Sequence, residues 1–251
     1  MDHPSNSATA RRVAIVGRGR LGTALAFALS AARVEVLGPF GRGELPHPLD
    51  ADLAVLLAVP DDAIARAAAS IPRGPFVGHC SGALTLDVLG DHDAFSIHPL
   101  LSVTERNTRF EGAACAIAGR SPRALDTARL IATELRMEPI EVKDSARSLY
   151  HAAASAASNY LVTLEDAAEQ LASSTGIERR HLARLAQSAL DNWTRLGGPM
   201  ALTGPIVRGD EATVRRQRDA AEDAVPHLLP LWDALANATR TLANRKSAGL
   251  V

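Results

Sequence analysis

The feature that most constrains this chain is a glycine-spaced turn close to its start. Val13-Ala14-Ile15-Val16 is a short apolar run, Gly17-Arg18-Gly19-Arg20-Leu21-Gly22 follows it directly, and Thr23 to Leu29 has the composition of a helix. Strand, tight turn and helix in that order form the context in which G-x-G-x-x-G binds a dinucleotide. The first glycine permits the turn, the second lets a pyrophosphate approach the backbone, and the third lets the helix pack on the strand. The helix N-terminus then attracts the phosphate charge. Gly17, Arg18, Gly19, Arg20, Leu21 and Gly22 are therefore candidate cofactor contacts, the alternative being a tight turn in a sheet that binds nothing.

Further strand candidates lie at Val34–Leu37, Leu53–Val59, Phe76–His79, Ala94–Ile97, Ala114–Ala118 and Ile140–Val142, with helix candidates at Ala63–Ile71 and Pro122–Met137. Leu53–Val59 is apolar on both faces, as a strand between two helix layers must be. This alternation predicts an α/β fold with a doubly wound, Rossmann-type parallel sheet. From Asp144 the pattern turns purely helical: one long helix over Ser145–Thr175, another over Glu178–Leu196, and one or two within Asp210–Asn244. The predicted organisation is a disordered leader over 1–10, a Rossmann-like dinucleotide-binding domain over 11–143 and an all-α domain over 144–251.

Composition removes several classes of partner. The 251 residues carry 27 Lys+Arg against 28 Asp+Glu, a formal net charge of -1. Nucleic acid and anionic membrane surfaces are bound through clustered positive charge, so neither is expected as a partner. The longest apolar run, Leu53 to Pro60, is far short of the roughly 20 residues that cross a bilayer. The polar N-terminus lacks the apolar core of a secretion signal, and a cytoplasmic location is expected. Cys80 and Cys115 are too few for a disulfide framework, and no Cys/His spacing suggests a metal site. Lys143 and Lys246 are the only lysines and neither follows a glycine, which excludes the Gly-Lys-Ser/Thr loop of nucleoside triphosphatases.

An acidic residue about 20 positions beyond the first glycine ordinarily takes the ribose 2′-hydroxyl of the dinucleotide. Gly38-Pro39-Phe40-Gly41-Arg42-Gly43 stands there instead. No carboxylate in that stretch repels a 2′-phosphate, and Arg42 can clamp one with charge-assisted bonds. Glu35 in the strand and Glu44 after the loop argue the other way, and Arg42 also reads as a solvated loop arginine. NADP(H) is favoured over NAD(H).

Ligands of open α/β sheets bind at the carboxyl ends of the strands. Two such ends carry polar groups, His79-Cys80-Ser81-Gly82 and Ser96-Ile97-His98-Pro99-Leu100. A hydride added to a carbonyl or imine carbon leaves charge on the heteroatom, and a histidine such as His98 is suited to supply the proton. Ser81 can hydrogen-bond the substrate or the nicotinamide edge, and His79 is a candidate substrate contact. Equally, a histidine before proline can cap a turn, and Ser-Gly is common turn chemistry. On the helix from Ser145, the residues Ser148, His151, Ser155, Asn159 and Thr163 recur at spacings of three and four and share one face. Ser148 to Leu164 contains no Asp, Glu, Lys or Arg, so that face fits packing against another domain, a partner subunit or a ligand better than solvent. His151, Asn159 and Ser155 become candidate substrate contacts or structural groups. In the loop Leu202–Asp210, Arg208 is a candidate carboxylate clamp and Asp210 a helix cap, the alternative being a plain helix connection.

Taken together, Val13–Gly22, Ala58-Val59-Pro60-Asp61, His79–Gly82, Ser96–Leu100, Tyr150-His151-Ala152-Ala153 with Ser158-Asn159-Tyr160, and Thr203–Ile206 with Arg208-Gly209-Asp210 resemble a known family. It pairs a Rossmann-like N-terminal domain with a helical C-terminal domain of unknown function (DUF2520 type). More widely, the chain is similar to prephenate dehydrogenase, pyrroline-5-carboxylate reductase, ketopantoate reductase, the β-hydroxyacid dehydrogenases and 6-phosphogluconate dehydrogenase C-terminal-like oxidoreductases. The resemblance implies cofactor contacts at Val59 and Pro60, an active site between the two domains, and a homodimer formed through the helical one. Ser81 and His98-Pro99 look similar to the Gly-Ser and His-Pro that lie beside the substrate in prephenate dehydrogenases. Two of these enzyme types place a lysine on the helix, in the β-hydroxyacid dehydrogenases four residues before an asparagine. Here Ser155 stands at that spacing before Asn159, which argues against both of those activities.

The expected function is hydride transfer between NADP(H) and a carbonyl, hydroxyl or imine carbon of a small carboxylated metabolite. His98 would be the acid/base, Ser81 and Asn159 positioning groups, His151 a second polar contact or alternative acid/base, and Arg208 a candidate carboxylate clamp, with no metal required. The rival is a non-catalytic NADP(H)-binding sensor or regulatory protein, and a weaker third reading is a lyase or isomerase.

Overall fold

The computed structural model describes residues 12–45 and 49–247. The expected leader over 1–10 lies outside them, as do the side chains of Lys246 and Ser247. The first apolar run forms β1, Arg12–Val16, and the glycine turn leads into α1, Arg20–Ala31. Then follow β2 (Glu35–Phe40), β3 (Ala54–Leu57), α2 (Asp61–Ala69), β4 (Phe76–His79), β5 (Ala94–Pro99) and β6 (Ala114–Gly119). Helix α3 (Pro122–Glu134) and strand β7 (Glu138–Glu141) complete the α/β part. Ser121 accepts from the Ala124 N–H at the start of α3, and Pro122 occupies its first turn, where a missing N–H costs nothing.

The seven strands pair in the order β2-β1-β3-β4-β5-β6-β7. All pairs are parallel except β5 with β6. The doubly wound, Rossmann-type parallel sheet expected from the sequence is present, with this one antiparallel pair added to it. Residues 100–113 join the two strands without a helix, and a parallel return needs a crossover of a dozen or more residues, usually helical. Alternate residues of each strand enter opposite cores. Val13, Ile15, Ala54 and Leu56 pack with α1 and α3 on one face; Ala14, Val16, Val55 and Leu57 pack with α2 on the other. Helices on both faces make the sheet doubly wound. Truncating a fully buried member such as Leu56 to alanine removes about 2–5 kcal/mol.

By its contacts the chain divides between Ala156 and Ala157. A 3₁₀ turn at Asp144–Ala146 and α4, Arg147–Ser155, belong with the sheet. The helix expected over Ser145–Thr175 is broken by a π-helical turn at Ala156–Tyr160 before α5, Leu161–Ala172. The wider turn disrupts the 3.6-residue period, so Ser148 to Thr163 does not run as one continuous face.

The second unit continues with α6 (Arg179–Leu196), α7 (Gly198–Ala201), α8 (Glu211–Ala224) and α9 (Leu229–Ser247). Asp210 caps α8 by accepting from the Thr213 N–H at 3.0 Å, as its position in the sequence indicates. Among the described residues of this unit only Ala167, Val214 and Ala221 are buried. A cavity of about 300 Å³ opens among its helices, lined by Leu171, Ile206, Trp232 and Leu235. Among the described residues no helix is long and apolar enough to cross a membrane.

Candidate functional site

The four strands β1, β3, β4 and β5 end along one edge of the sheet, and the order 2-1-3-4-5 reverses between β1 and β3. Such a switch point leaves a crevice at the carboxyl ends of the strands. The glycine turn sits in it, and each glycine meets a separate requirement. A Cβ on Gly17 would lie 2.2 Å from the Ala58 carbonyl oxygen, and one on Gly22 would lie 2.0 Å from the Gly17 carbonyl oxygen. These two glycines let β1, β3 and α1 close together. A Cβ on Gly19 would meet nothing within 4 Å. Gly19 is also the N-cap of α1 and offers no side chain to the free N–H groups of the first turn. An open, uncapped helix start at a switch point fits a pyrophosphate.

Around this turn Leu21 and Val59 are half-buried against the two cores, while Arg20 and Pro60 are exposed. Arg18 reaches the loop after β2, pairing with Glu44 at 2.6 Å and donating to the Pro39 carbonyl at 3.2 Å. Arg42 is exposed and makes no hydrogen bond or ion pair with the described residues. Glu35 pairs with Arg12 at 3.0 Å.

Strand ends β4 and β5 meet at Gly82. Its missing side chain makes room for two imidazoles: a Cβ there would lie 2.8 Å from Cε1 and Nε2 of His98 and 2.6 Å from Cδ2 of His151. The His98 ring stands edge-on to Tyr150, and its Nδ1 lies 2.6 Å from the Tyr150 hydroxyl oxygen. Burial pushes the Tyr150 phenol up to about 12, so it keeps its proton. That hydroxyl has no other protein partner among the described residues, and a neutral His98 pairs with it in either of two ways: the hydroxyl donates to Nδ1 and leaves the ring proton on Nε2, or Nδ1–H donates to the hydroxyl. Burial first, then the charges of His151 and Arg147, push His98 down to about 4. At pH 7 only about one ring in a thousand is then protonated. His98 therefore presents the Cε1 and Nε2 edge of a neutral ring at Gly82.

The other residues singled out on this edge hold the turn together. Ser81 donates to Asp61 at 2.8 Å and accepts from the N–H groups of Ala83 and Leu84 at 3.2 and 3.0 Å, so its hydroxyl is engaged on every side. His79 is fully buried; its Nδ1 accepts from the Ser81 N–H at 3.2 Å and its Nε2 faces the Thr85 carbonyl at 3.3 Å. Burial, then Arg147, push it down to about 4. Both of its nitrogens are committed within the turn, and no part of the ring faces solvent.

Arg147, the first residue of α4, escaped the sequence reading. It is fully buried, donates to the Ser81 carbonyl at 3.0 Å and to the Ser96 hydroxyl, and thereby ties the end of β4 to β5. Asp144, one turn earlier, lies 3.9 Å from its Nε, which has no hydrogen-bond partner. Ser155, at the end of α4, is half-buried. In the second unit, Asn159 is exposed in the π turn and its carbonyl accepts from Thr163 at 3.0 Å, while Arg208 is exposed just before Gly209.

A family profile described as Domain of unknown function (DUF2520) matches residues 113–239, just over half of the chain. The chain belongs to this family. No curated protein sequence matches this DUF2520 protein. Among solved structures it is similar to a Bacteroides fragilis protein named provisionally as an NADP oxidoreductase, with 18% identity, a TM-score of 0.79, and coverage of 93% of this chain and 100% of that one. It is also similar to a Thermotoga maritima protein, with 24% identity, a TM-score of 0.78 and coverage of 92% and 99%. A third is an Aspergillus terreus reductive aminase in complex with NADPH and ethyl levulinate, with 16% identity, a TM-score of 0.66 and coverage of 93% and 95%. These likenesses establish the fold that DUF2520 shares with them.

Proposed function

We propose that the protein is an NADP(H)-dependent oxidoreductase acting on a carbonyl, hydroxyl or imine carbon of a small carboxylated metabolite. The observation that carries this reading is the open Gly19 at the uncapped start of α1, flanked by two glycines that close the turn. Similarity to a reductive aminase whose structure holds NADPH supports it. Gly17 to Gly22, Val59 and Pro60 would hold the pyrophosphate and ribose, and Arg42 the 2′-phosphate. Bound there, the cofactor supplies or accepts a hydride.

The chain's own residues handle the heteroatom of the substrate. With the Tyr150 hydroxyl donating to Nδ1, the neutral His98 Nε2–H donates to a carbonyl oxygen or imine nitrogen and stabilises the negative charge that develops there. One proton must accompany the hydride, and the line of Tyr150 hydroxyl, Nδ1 and Nε2 is the route the geometry offers. His151 is a second contact on the same atom, and Arg147, Ser81 and Gly82 position both rings.

The second unit supports a homodimer as the working form. A helical unit with only three small buried side chains among its described residues lacks a core of its own, while Leu185 (69%), Val162 (68%) and Trp193 (59%) stand exposed. A second copy of this chain is the partner that covers them.

Titration with NADPH and NADH, followed by nicotinamide fluorescence and thermal stability, tests the reading. Wild type should bind NADPH, and Gly19→Glu should abolish binding without lowering the melting temperature, because its side chain points into open space. Binding of neither nucleotide by the folded wild type removes the oxidoreductase reading. Binding without reduction of any keto acid or imine would leave the regulatory reading, which Ser155, standing where related dehydrogenases carry a lysine, favours.

A further inference from the structure

We propose that Glu44 is a built-in competitor for the cofactor's 2′-phosphate and sets the preference between the phosphorylated and unphosphorylated dinucleotide. The inference rests on the nucleotide-binding reading above and names a residue and a mode of selection that it does not contain. In Rossmann-type sheets the ribose 2′ position is recognised at the carboxyl end of β2. There Arg18 spans from the glycine turn to the loop after the strand, its Nε donating to the Pro39 carbonyl at 3.2 Å. One oxygen of Glu44 receives both Nη2 of Arg18 at 2.6 Å and the Gly41 N–H at 2.9 Å. A guanidinium and a backbone N–H converging on one anionic oxygen is the arrangement that a phosphate oxygen takes.

The loop is shaped around this carboxylate. A Cβ on Gly41 would lie 3.0 Å from Nη1 of Arg18 and 3.3 Å from Oε1 of Glu44, so with a larger residue both groups would have to shift by a few tenths of an ångström. Arg42, next in the chain, is exposed without a partner among the described residues. The loop therefore carries a second, unengaged arginine next to the Arg18–Glu44 pair. The Glu44 side chain is 48% exposed, so it can swing into water without opening the core. A 2′-phosphate carries about two negative charges and displaces it from Arg18 while recruiting Arg42. A 2′-hydroxyl cannot displace it, and instead donates to it. Glu44 thus supports the unphosphorylated cofactor and taxes the phosphorylated one.

The test measures dissociation constants of NADPH and NADH, with 2′,5′-ADP and 5′-AMP as fragments that lack the nicotinamide, for wild type, Glu44→Gln, Arg18→Met and the double variant. Glu44→Gln should widen the preference for NADPH over NADH about tenfold, and Arg18→Met should narrow it about tenfold, the size of one charge-assisted hydrogen bond. In the Arg18→Met background the effect of Glu44→Gln should shrink, because the guanidinium for which carboxylate and phosphate compete is gone. The fragments should repeat the pattern. Melting temperatures of the free proteins should stay together, since an exposed ion pair adds little stability. If nucleotides bind but Glu44→Gln leaves the preference within twofold of wild type, the competitor role is overturned and the binding reading stands. If folded wild type and Glu44→Gln both bind none of the four compounds, the binding reading falls and the inference with it.

Discussion

Arg147 shows what a single side chain does here. Its charge is taken out of water, and its two donors fasten a backbone carbonyl on one strand end and a hydroxyl on the next. Replacing it with methionine keeps most of the volume but strands the Ser81 carbonyl and the Ser96 hydroxyl. The expected loss is about 2–4 kcal/mol in urea denaturation; a loss under about 1 kcal/mol would mean that water replaces the guanidinium freely. Burial also makes His98 and His79 sensors of acid. Both are neutral in the native protein, titrating at about 4, whereas an unfolded histidine takes its proton near 6.5. The unfolded chain binds more protons between those values, so stability is fully present above about pH 6.5 and falls as the pH drops toward 4. Melting temperatures from pH 7.5 to 4.5 should show this decline, and His98→Asn should make it shallower; parallel curves would contradict the assignment. The glycines of the turn were legible because spacing and context together demand them. Arg147 was not, and Tyr150 stood out only in the family resemblance, with no role attached to it. In a chain where almost every basic residue is an arginine, nothing local marks the one that is buried, and Tyr150 lies outside the polar stripe that drew attention to His151.

At the scale of elements, strand positions followed from apolar runs that a two-sided core requires, and β3 is buried along its whole length as its composition dictates. The reversal of β6 was illegible, because direction depends on the loop that precedes the strand and not on the strand's own pattern. The break in the long helix was equally hidden. Ala152 to Ala157 is a run of small side chains compatible with α and π turns alike, and only the hydrogen bonds distinguish them. The packing of α1 on β1 gives an element-level prediction. Gly22→Ala places a methyl group against the Gly17 carbonyl, so α1 must lift from the sheet. A loss of about 1–3 kcal/mol is expected, together with loss of nucleotide binding, whereas Gly19→Ala should change stability little. Equal effects of the two substitutions on the melting temperature would contradict this account of the turn.

For the molecule as a whole, the thin core of the second unit predicts that it is held by association. Sedimentation should give a dimer, and Leu185→Glu with Trp193→Glu should yield monomers of lower melting temperature; a stable wild-type monomer would refute the proposal. The sheet carries a different consequence for the molecule's history. Because β6 runs against β5, the connection over 100–113 leaves from the edge where the candidate site lies and folds back over α1. Arg106 there lies 5.4 Å from the centre of the Phe27 ring, and Phe110 is buried as an anchor. Leu100 and Leu101, just beyond β5, stand partly exposed at 44% and 40%. Between the strand and that anchor the chain forms no strand and no helix; Leu100 bonds to Ala114, and Val103 and Arg106 hold it to the core and to α1, while its remaining side chains can vary at little cost to the fold. A chain built this way can change the groups that stand beside this edge by rewriting a few loop residues, while the glycine turn and the sheet that carries it stay as they are.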